Sequence, residues 1–308
     1  MTTAAPGPPA GIGRLDWLTE INTDDMLAAW GLEQQQRGRR LLRWLCRPAA
    51  RWLARQVLAY DELVGAHGLA AGAGWILRQH VRSVAVAGAA TVPRAGPLLV
   101  VANHPGLADT VALFASLPRA DLRVVAADRP FLRVLPHTGR HLIFLPEQAG
   151  ARLGVVRAVT SHLRRGGAVL TFPGGEIEPD PAVLPGAAEA LARWSESIGL
   201  FARALPQLQV VPAIVSGVLA PAAQRHPLTR LRRRRADRER FGAMLQILVP
   251  AYRAVDVRVA FGPPLATADL VAGAGARGIT RAVTDQARRL IDQPPDDWQV
   301  VVGTGGRR

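Results

Sequence analysis

Asn103-His104-Pro105-Gly106-Leu107-Ala108-Asp109 sets an imidazole and a carboxylate five positions apart. Such a pair suits proton transfer. The carboxylate fixes the imidazole tautomer and stabilises the imidazolium that forms when the ring takes a proton. No Ser or Cys stands in the segment, so the economical chemistry is a His104 general base, partnered by Asp109, that activates an incoming hydroxyl. On a regular helix five residues turn through about 140°, so the two side chains would not share a face. Pro105 holds His104 in an extended conformation, and a helix starting near Gly106 or Leu107 returns Asp109 toward the ring. Asn, Pro and Gly also build ordinary turns, so alone the segment fits a plain strand-to-helix connection equally well. A metal-dependent hydrolase with His104 and Asp109 as ligands is a weaker reading, since the segment offers only two ligands, and no metal is expected.

A second segment, Phe172-Pro173-Gly174-Gly175-Glu176-Ile177-Glu178, ends another apolar run in a Gly-rich acidic turn. Amides uncovered by Gly174 and Gly175 suit an anion or a developing oxyanion, and Glu176 and Glu178 suit an acceptor hydroxyl. A tight turn before a proline-rich loop fits as well. A third, Val211-Pro212-Ala213, puts a proline inside a strand pattern, which suggests an edge or a strand start.

The elements around these segments change character near Ser83. Before it the pattern is helical. Asn22 or Thr23 is expected to cap a short helix. Residues 35–64 interleave Leu and Trp with Arg, and Pro48 is expected to split them into two helices. Another helix is expected over 72–82. After Ser83, strands are expected at 84–88, 98–102, 122–127, 142–145, 168–172, 209–215 and 255–261. Helices are expected over 155–165, 186–204 and 280–291. Leu98 to Ala102 is apolar throughout, as in a strand buried on both faces. The alternation indicates an α/β fold: a mixed, largely parallel sheet flanked by helices, with an N-terminal helical region. The expected organisation is a disordered stretch 1–13, a helical region 14–82 that suits membrane association, an α/β domain 83–293 and a polar tail 294–308.

Taken in order, the three segments resemble the phospholipid/glycerol acyltransferase family, of the lysophosphatidate-acyltransferase type. Asn103, His104 and Asp109 match its Asn-His-x4-Asp block. Phe172, Pro173, Gly174, Gly175 and Glu176 match the Phe-Pro block, and Val211-Pro212-Ala213 the Val-Pro strand. The resemblance spans residues 84–264. It implies the glycerolipid acyltransferase fold and an acyltransferase that moves a fatty acyl group from acyl-CoA or acyl carrier protein to a glycerolipid hydroxyl. His104 and Asp109 would be the catalytic pair. Asn103, Gly106, Phe172, Pro173, Gly174, Gly175 and Glu176 would line the substrate site, and no cofactor is implied. Two departures bear on the acceptor. Pro146 or Glu147 stands where the second block usually ends in Arg, and Gly174 replaces the usual Glu of the third. Arg140, Arg152 or Arg157 is then left to meet an acceptor phosphate. The Phe-Pro-Gly-Gly form is similar to acyltransferases of neutral glycerides, so a non-phosphorylated acceptor stands as the alternative to 1-acyl-glycerol-3-phosphate.

Composition sets the wider bounds. The chain of 308 residues carries a formal net charge of +14, all of its cationic charge from arginine, for it has no lysine. Such a surface attracts anionic lipid, phosphorylated substrates or nucleic acid. A basic binding protein for nucleic acid or membrane, with a merely structural His-Asp turn, is the reading from a different class. No nucleic-acid motif or stacking platform accompanies the Arg230–Arg240 run, so nucleic acid is not an expected partner. Cys46 is the single cysteine, which excludes an internal disulfide and fits a reducing compartment. No apolar run reaches the roughly 18–20 residues that span a bilayer. The expectation is a protein peripheral on the cytoplasmic face of a membrane, partnered by lipid acceptor, acyl donor and an anionic membrane surface.

Overall fold

All seven expected strands form: β1 (Ser83–Ala87), β2 (Leu98–Ala102), β3 (Arg123–Ala127), β4 (Leu142–Leu145), β5 (Ala168–Thr171), β6 (Gln209–Ser216) and β7 (Asp256–Phe261). The structure is a computed structural model that describes residues 8–9, 11–32, 38–146, 148 and 152–303, without the side chains of 152 and 268–274. The helices are α1 (Arg14–Ala29), α2 (Arg39–His67), α3 (Leu69–His80), α4 (Asp109–Ser116), α5 (Pro130–Arg133), α6 (Pro136–Gly139), α7 (Arg152–Arg164), α8 (Ala187–Ala190), α9 (Ser197–Ala204), α10 (Pro221–Gln224), α11 (Arg235–Leu248) and α12 (Thr267–Asp292). Two further strands, β8 (Leu265–Ala266) and β9 (Gln299–Gly303), complete one mixed sheet of order β4-β3-β5-β2-β6-β7-β1-β9, with β8 on β6. Strands β4, β3, β5, β2 and β6 run parallel, and β7 turns antiparallel to β6.

The sheet is covered on both faces, which explains the unbroken apolar run of β2. Leu98, Val100 and Ala102 pack into one core with Leu77 of α3 and Ala112 and Leu113 of α4. Leu99 and Val101 pack on the other face with Val159 and Leu163 of α7 and Val283 and Ala287 of α12. The third N-terminal helix is thus part of the layer covering the sheet.

Several expectations are corrected. Asn22 and Thr23 cap nothing: α1 runs through them. Asn22 donates to the Ala50 carbonyl at 3.1 Å, and Thr23 to its own helix at 2.7 Å. Pro48 does not split α2, which is one 29-residue helix. Pro48 is exposed, and so is Trp44, whose carbonyl loses its helical donor and faces water. The single helix expected over 186–204 is α8, a 3-10 turn at Leu191–Arg193 and α9. The 294–308 tail is not all tail, because β9 pairs antiparallel with β1 and buries Val302. Most of the stretch 1–13 and the residues 304–308 lie outside the described residues.

Pro212 sits inside an interior strand, not at an edge. Its carbonyl accepts from the Gly262 N–H at 2.8 Å, so its nitrogen also faces the β7–β8 side. There β8 pairs Gln209–Val210 and β7 pairs Ala213–Ser216. The missing N–H falls in the gap between the two partners, where the ladder needs no donor.

Candidate active site

Three of the parallel strands, β2, β5 and β6, deliver the site at their carboxyl ends, where open α/β sheets place their crevices. β2 stops at Ala102, and the Asn103 side chain then acts as a further peptide group. Its amide donates to the Val215 carbonyl at 2.9 Å and accepts the Val215 N–H at 2.7 Å. The ladder to β6 is thereby carried one residue beyond the strand. Asn103 is buried, and its amide nitrogen and oxygen each hold a backbone partner.

Between Asn103 and α4 the chain folds back through two left-handed residues, Gly106 (φ 89°) and Leu107 (φ 52°). Gly106 is built for this. Leu107 is the one non-glycine residue with positive φ among the described residues, so the turn holds strain of roughly 1–3 kcal/mol. The reversal sets Asp109, first residue of α4 and almost wholly buried, against His104. His104 Nδ1 lies 2.7 Å from Asp109 Oδ2. The same oxygen accepts the Gly106 N–H at 2.7 Å, while Oδ1 accepts from the Thr110 N–H and from its hydroxyl at 2.9 Å. Gly106 therefore shapes the turn and orients Asp109. The helix N-terminus further favours the carboxylate.

An ionised carboxylate only accepts, so the imidazole proton sits on Nδ1 and the free lone pair on Nε2. The His104 side chain keeps 30% exposure, enough for a reactant to reach it. Burial pulls the imidazole pKa down, but the hydrogen bond and charge of Asp109, with the charge of Glu178, carry it above its ordinary value.

The second segment closes over this turn. Phe172 stacks its ring on His104, centroids 4.6 Å apart. The Glu178 N–H donates to the His104 carbonyl at 2.8 Å, and Glu178 Oε2 accepts the His104 N–H at 3.0 Å. Glu178 Oε1 accepts the indole N–H of Trp194 at 2.9 Å. Glu178 is 3% exposed, and burial pushes its carboxyl up against the pull of these donors. Gly174 gives the carboxylate its space: a Cβ there would stand 2.9 Å from the Glu178 carboxyl carbon. Gly175 (φ 70°) spends its N–H within the turn on the Phe172 carbonyl, at 3.1 Å. Of the two expected oxyanion amides, only that of Gly174 stays uncommitted among the described residues. The Pro173 carbonyl accepts from the Ser195 N–H at 3.0 Å, tying the turn to the Trp194 segment. Asp180, fully buried, accepts from the N–H groups of Ala182, Gly217 and Leu219, which binds this loop to the exit of β6.

Glu176 is turned outward into an exposed ion pair with Arg193 at 3.1 Å, away from the role expected of it. Arg140 is exposed and immediately precedes β4. Leu142 is level with Val124, and Val124 with Leu170 and Val100, so Arg140 lies toward the amino ends of the strands, opposite His104. It is not brought to the site. Arg152 opens α7, and its side chain lies outside the described residues. Glu178 was legible only as one of two acidic residues, and nothing in the sequence singled out Trp194. Among the described residues the one group of three that could hold a metal is Asp61, Glu62 and His137. Asp61 already accepts from Arg14 at 3.1 Å and from the Thr138 N–H at 2.8 Å, so that cluster is a clamp between α1, α2 and α6.

Residues 83–216 match the family model described as Acyltransferase. No curated protein matches the sequence significantly. Among solved structures, the 1-acyl-sn-glycerophosphate (LPA) acyltransferase PlsC from Thermotoga maritima aligns over 93% of this chain and 95% of its own, at 15% identity and a TM-score of 0.45.

Proposed function

By residues 83–216 the chain belongs to the acyltransferase family, and on that premise we propose that it moves a fatty acyl group from an acyl-thioester, acyl-CoA or acyl carrier protein, to a glycerolipid hydroxyl. The observation that carries the mechanism is the 2.7 Å His104–Asp109 bond, which leaves Nε2 as the base. His104 Nε2 takes the hydroxyl proton while the oxygen attacks the thioester carbonyl. The tetrahedral intermediate collapses, the C–S bond breaks, and the imidazolium returns its proton to the departing thiolate. Asp109 stabilises the imidazolium throughout. No acyl-enzyme intermediate and no cofactor are needed.

Two readings of the acceptor stand, 1-acyl-glycerol-3-phosphate or a non-phosphorylated lipid. The second is supported by the sequence, where Pro146 or Glu147 and Gly174 stand at the positions from which the resembled family meets a phosphate. Work at a membrane surface is supported by α2, which leaves Leu41, Trp44 and Leu45 exposed beside Arg40 and Arg47. No described helix is long and apolar enough to cross a membrane. The proposed location is peripheral, on the cytoplasmic face.

The test is thiol release from acyl-CoA and acyl carrier protein with a panel of lysophospholipid and glyceride acceptors. Turnover is expected with one class and lost in His104→Ala. Unimpaired transfer by His104→Ala would refute the base, and no turnover with any acceptor would refute the reaction.

A further inference from the structure

Beyond residue 216, where the family match ends, the chain leaves the carboxyl end of β6 and builds a surface that the transfer reaction does not use. The 3-10 turn Pro227–Leu231 follows α10 and leads into α11. With three residues per turn, positions i and i+3 eclipse, so Leu228 and Leu231 share one side. Both are exposed, Leu231 by 73%. The same stretch of chain carries Arg225, Arg230, Arg233 and Arg234, all exposed and, among the described residues, without an acidic partner in an ion pair. The next arginines differ. Arg232 pairs with Asp237 at 3.3 Å and donates to the Trp30 carbonyl at 3.3 Å, and Arg235 pairs with Glu239 at 2.8 Å. Gly31 makes room for Arg232, since a Cβ there would overlap its guanidinium. One arginine thus pins the segment onto the end of α1, and its neighbours are left facing out.

Trp30, at that pinned end, also packs with Met26, Leu27 and Leu42, beneath the exposed Leu41, Trp44 and Leu45 of α2. The end of α1 thus contacts both α2 and the arginine-rich segment. Leucines at the centre of unpaired cations match the charge and polarity of an anionic lipid surface, where apolar side chains enter the boundary and each cation near the headgroups adds attraction. We propose that Leu228 and Leu231, with Arg225, Arg230, Arg233 and Arg234, form a second docking surface for anionic membrane. This inference rests on the reading of the chain as an enzyme that draws its acceptor from lipid.

The experiment is flotation of the full chain with vesicles of phosphatidylcholine alone or with about 30% phosphatidylglycerol, at low and high salt. Wild type is expected to float with the anionic vesicles only, and less at high salt. The triple variant Arg230→Gln, Arg233→Gln, Arg234→Gln is expected to bind about a hundredfold more weakly, at about fivefold per arginine. Leu228→Ser with Leu231→Ser is expected to weaken binding at both salt concentrations. Five of the six side chains and none of the anchors are changed, and equal melting temperatures check the fold. Binding of both variants at the wild-type level, or equal binding to neutral vesicles, would overturn the proposal. So would wild-type flotation by the charge variant combined with a raised KM for acyl carrier protein or with lost nucleic-acid binding, which would assign the arginines to those partners. Transfer to a water-dispersed acceptor is assayed in parallel. Its absence from wild type while the flotation pattern holds would sink the transfer reading and leave the docking surface supported.

Discussion

Asp109→Asn separates the charge of the carboxylate from its shape. Each oxygen of Asp109 has its own donors: His104 Nδ1 and the Gly106 N–H on Oδ2, the Thr110 N–H and hydroxyl on Oδ1. An asparagine amide has one oxygen and one NH2. Turned with NH2 toward His104, it faces two N–H donors. Turned toward Thr110, it faces one, and the hydroxyl there rotates to accept. The second orientation wins, so the Nδ1 proton and the free Nε2 are preserved. What is lost is the Thr110 N–H partner, worth about 1–3 kcal/mol of stability for a buried donor left unpaired, and the negative charge. Without that charge burial dominates, and the His104 pKa falls from above its ordinary value. The base is weaker and its imidazolium unsupported. The expected kcat loss is about 10²- to 10⁴-fold with KM nearly unchanged. The acid limb of the kcat–pH profile, which reports His104 losing its proton, moves to lower pH. Stability follows the same linkage. In wild type the raised pKa stabilises the fold fully below the ordinary histidine value, and that contribution fades as pH rises through the folded value. The melting-temperature gap between wild type and Asp109→Asn should therefore narrow as pH rises from below the ordinary histidine value through the raised one. The assay is continuous thiol release from acyl-CoA, to which the buried Cys46 adds no background. An unchanged kcat, or a reduced kcat with an unmoved acid limb, would refute the argument, since a merely structural carboxylate lowers active protein equally at every pH.

Three further outcomes follow from the same geometry. Glu178→Gln leaves either the His104 N–H or the Trp194 N–H facing an NH2 group, so it should cost about 1–3 kcal/mol in denaturant unfolding; it should also lower the acid limb, because the Glu178 charge helps hold the His104 pKa up. Asn103→Asp still accepts the Val215 N–H but sets a carboxylate oxygen against the Val215 carbonyl; melting temperature should drop while KM for the acceptor in the surviving enzyme stays as in wild type, and a selective rise in KM would restore the substrate role. Arg140→Gln, at the far end of the sheet, should leave kcat/KM unchanged with phosphorylated and neutral acceptors alike, and a loss confined to phosphorylated ones would contradict its placement.

The centre of the sheet was legible because β2 and β5 carry apolar runs, as strands covered on both faces do, and β7 was legible from its alternation. Helix boundaries were less so. Thr23 looks like a cap because its hydroxyl satisfies a backbone group, but in α1 that group is the Thr19 carbonyl one turn back. Pro48 looks like a break because its ring removes a donor, but it lies on the exposed side of α2, and packing against α1 keeps the helix continuous. β9 was missed since its pattern is a short valine run in a polar stretch, and only the open edge of β1 makes it a strand.

The site divides along a similar line. His104 and Asp109 could be read because their partnership is local: Pro105 and two left-handed residues suffice to close five positions into one hydrogen bond. The roles of Glu178 and Trp194 in holding the His104 turn could not, because Glu178 comes from 74 positions away and Trp194 from farther still. Their logic is a matter of volume. Glycine at 174 removes a side chain from the turn, and the space it vacates receives the carboxylate of Glu178, which then reaches the His104 N–H and the Trp194 indole together. Where the resembled family's block has an acid at this position, this chain has a glycine and places an acid four residues on. Gly174→Ala makes that argument testable: its Cβ would sit 2.9 Å from the Glu178 carboxyl carbon, so the carboxylate must shift off one of its two donors. The His104 turn should then loosen, with kcat lowered more than KM. Ordinary activity in Gly174→Ala would mean that Glu178 is not what holds the base in place.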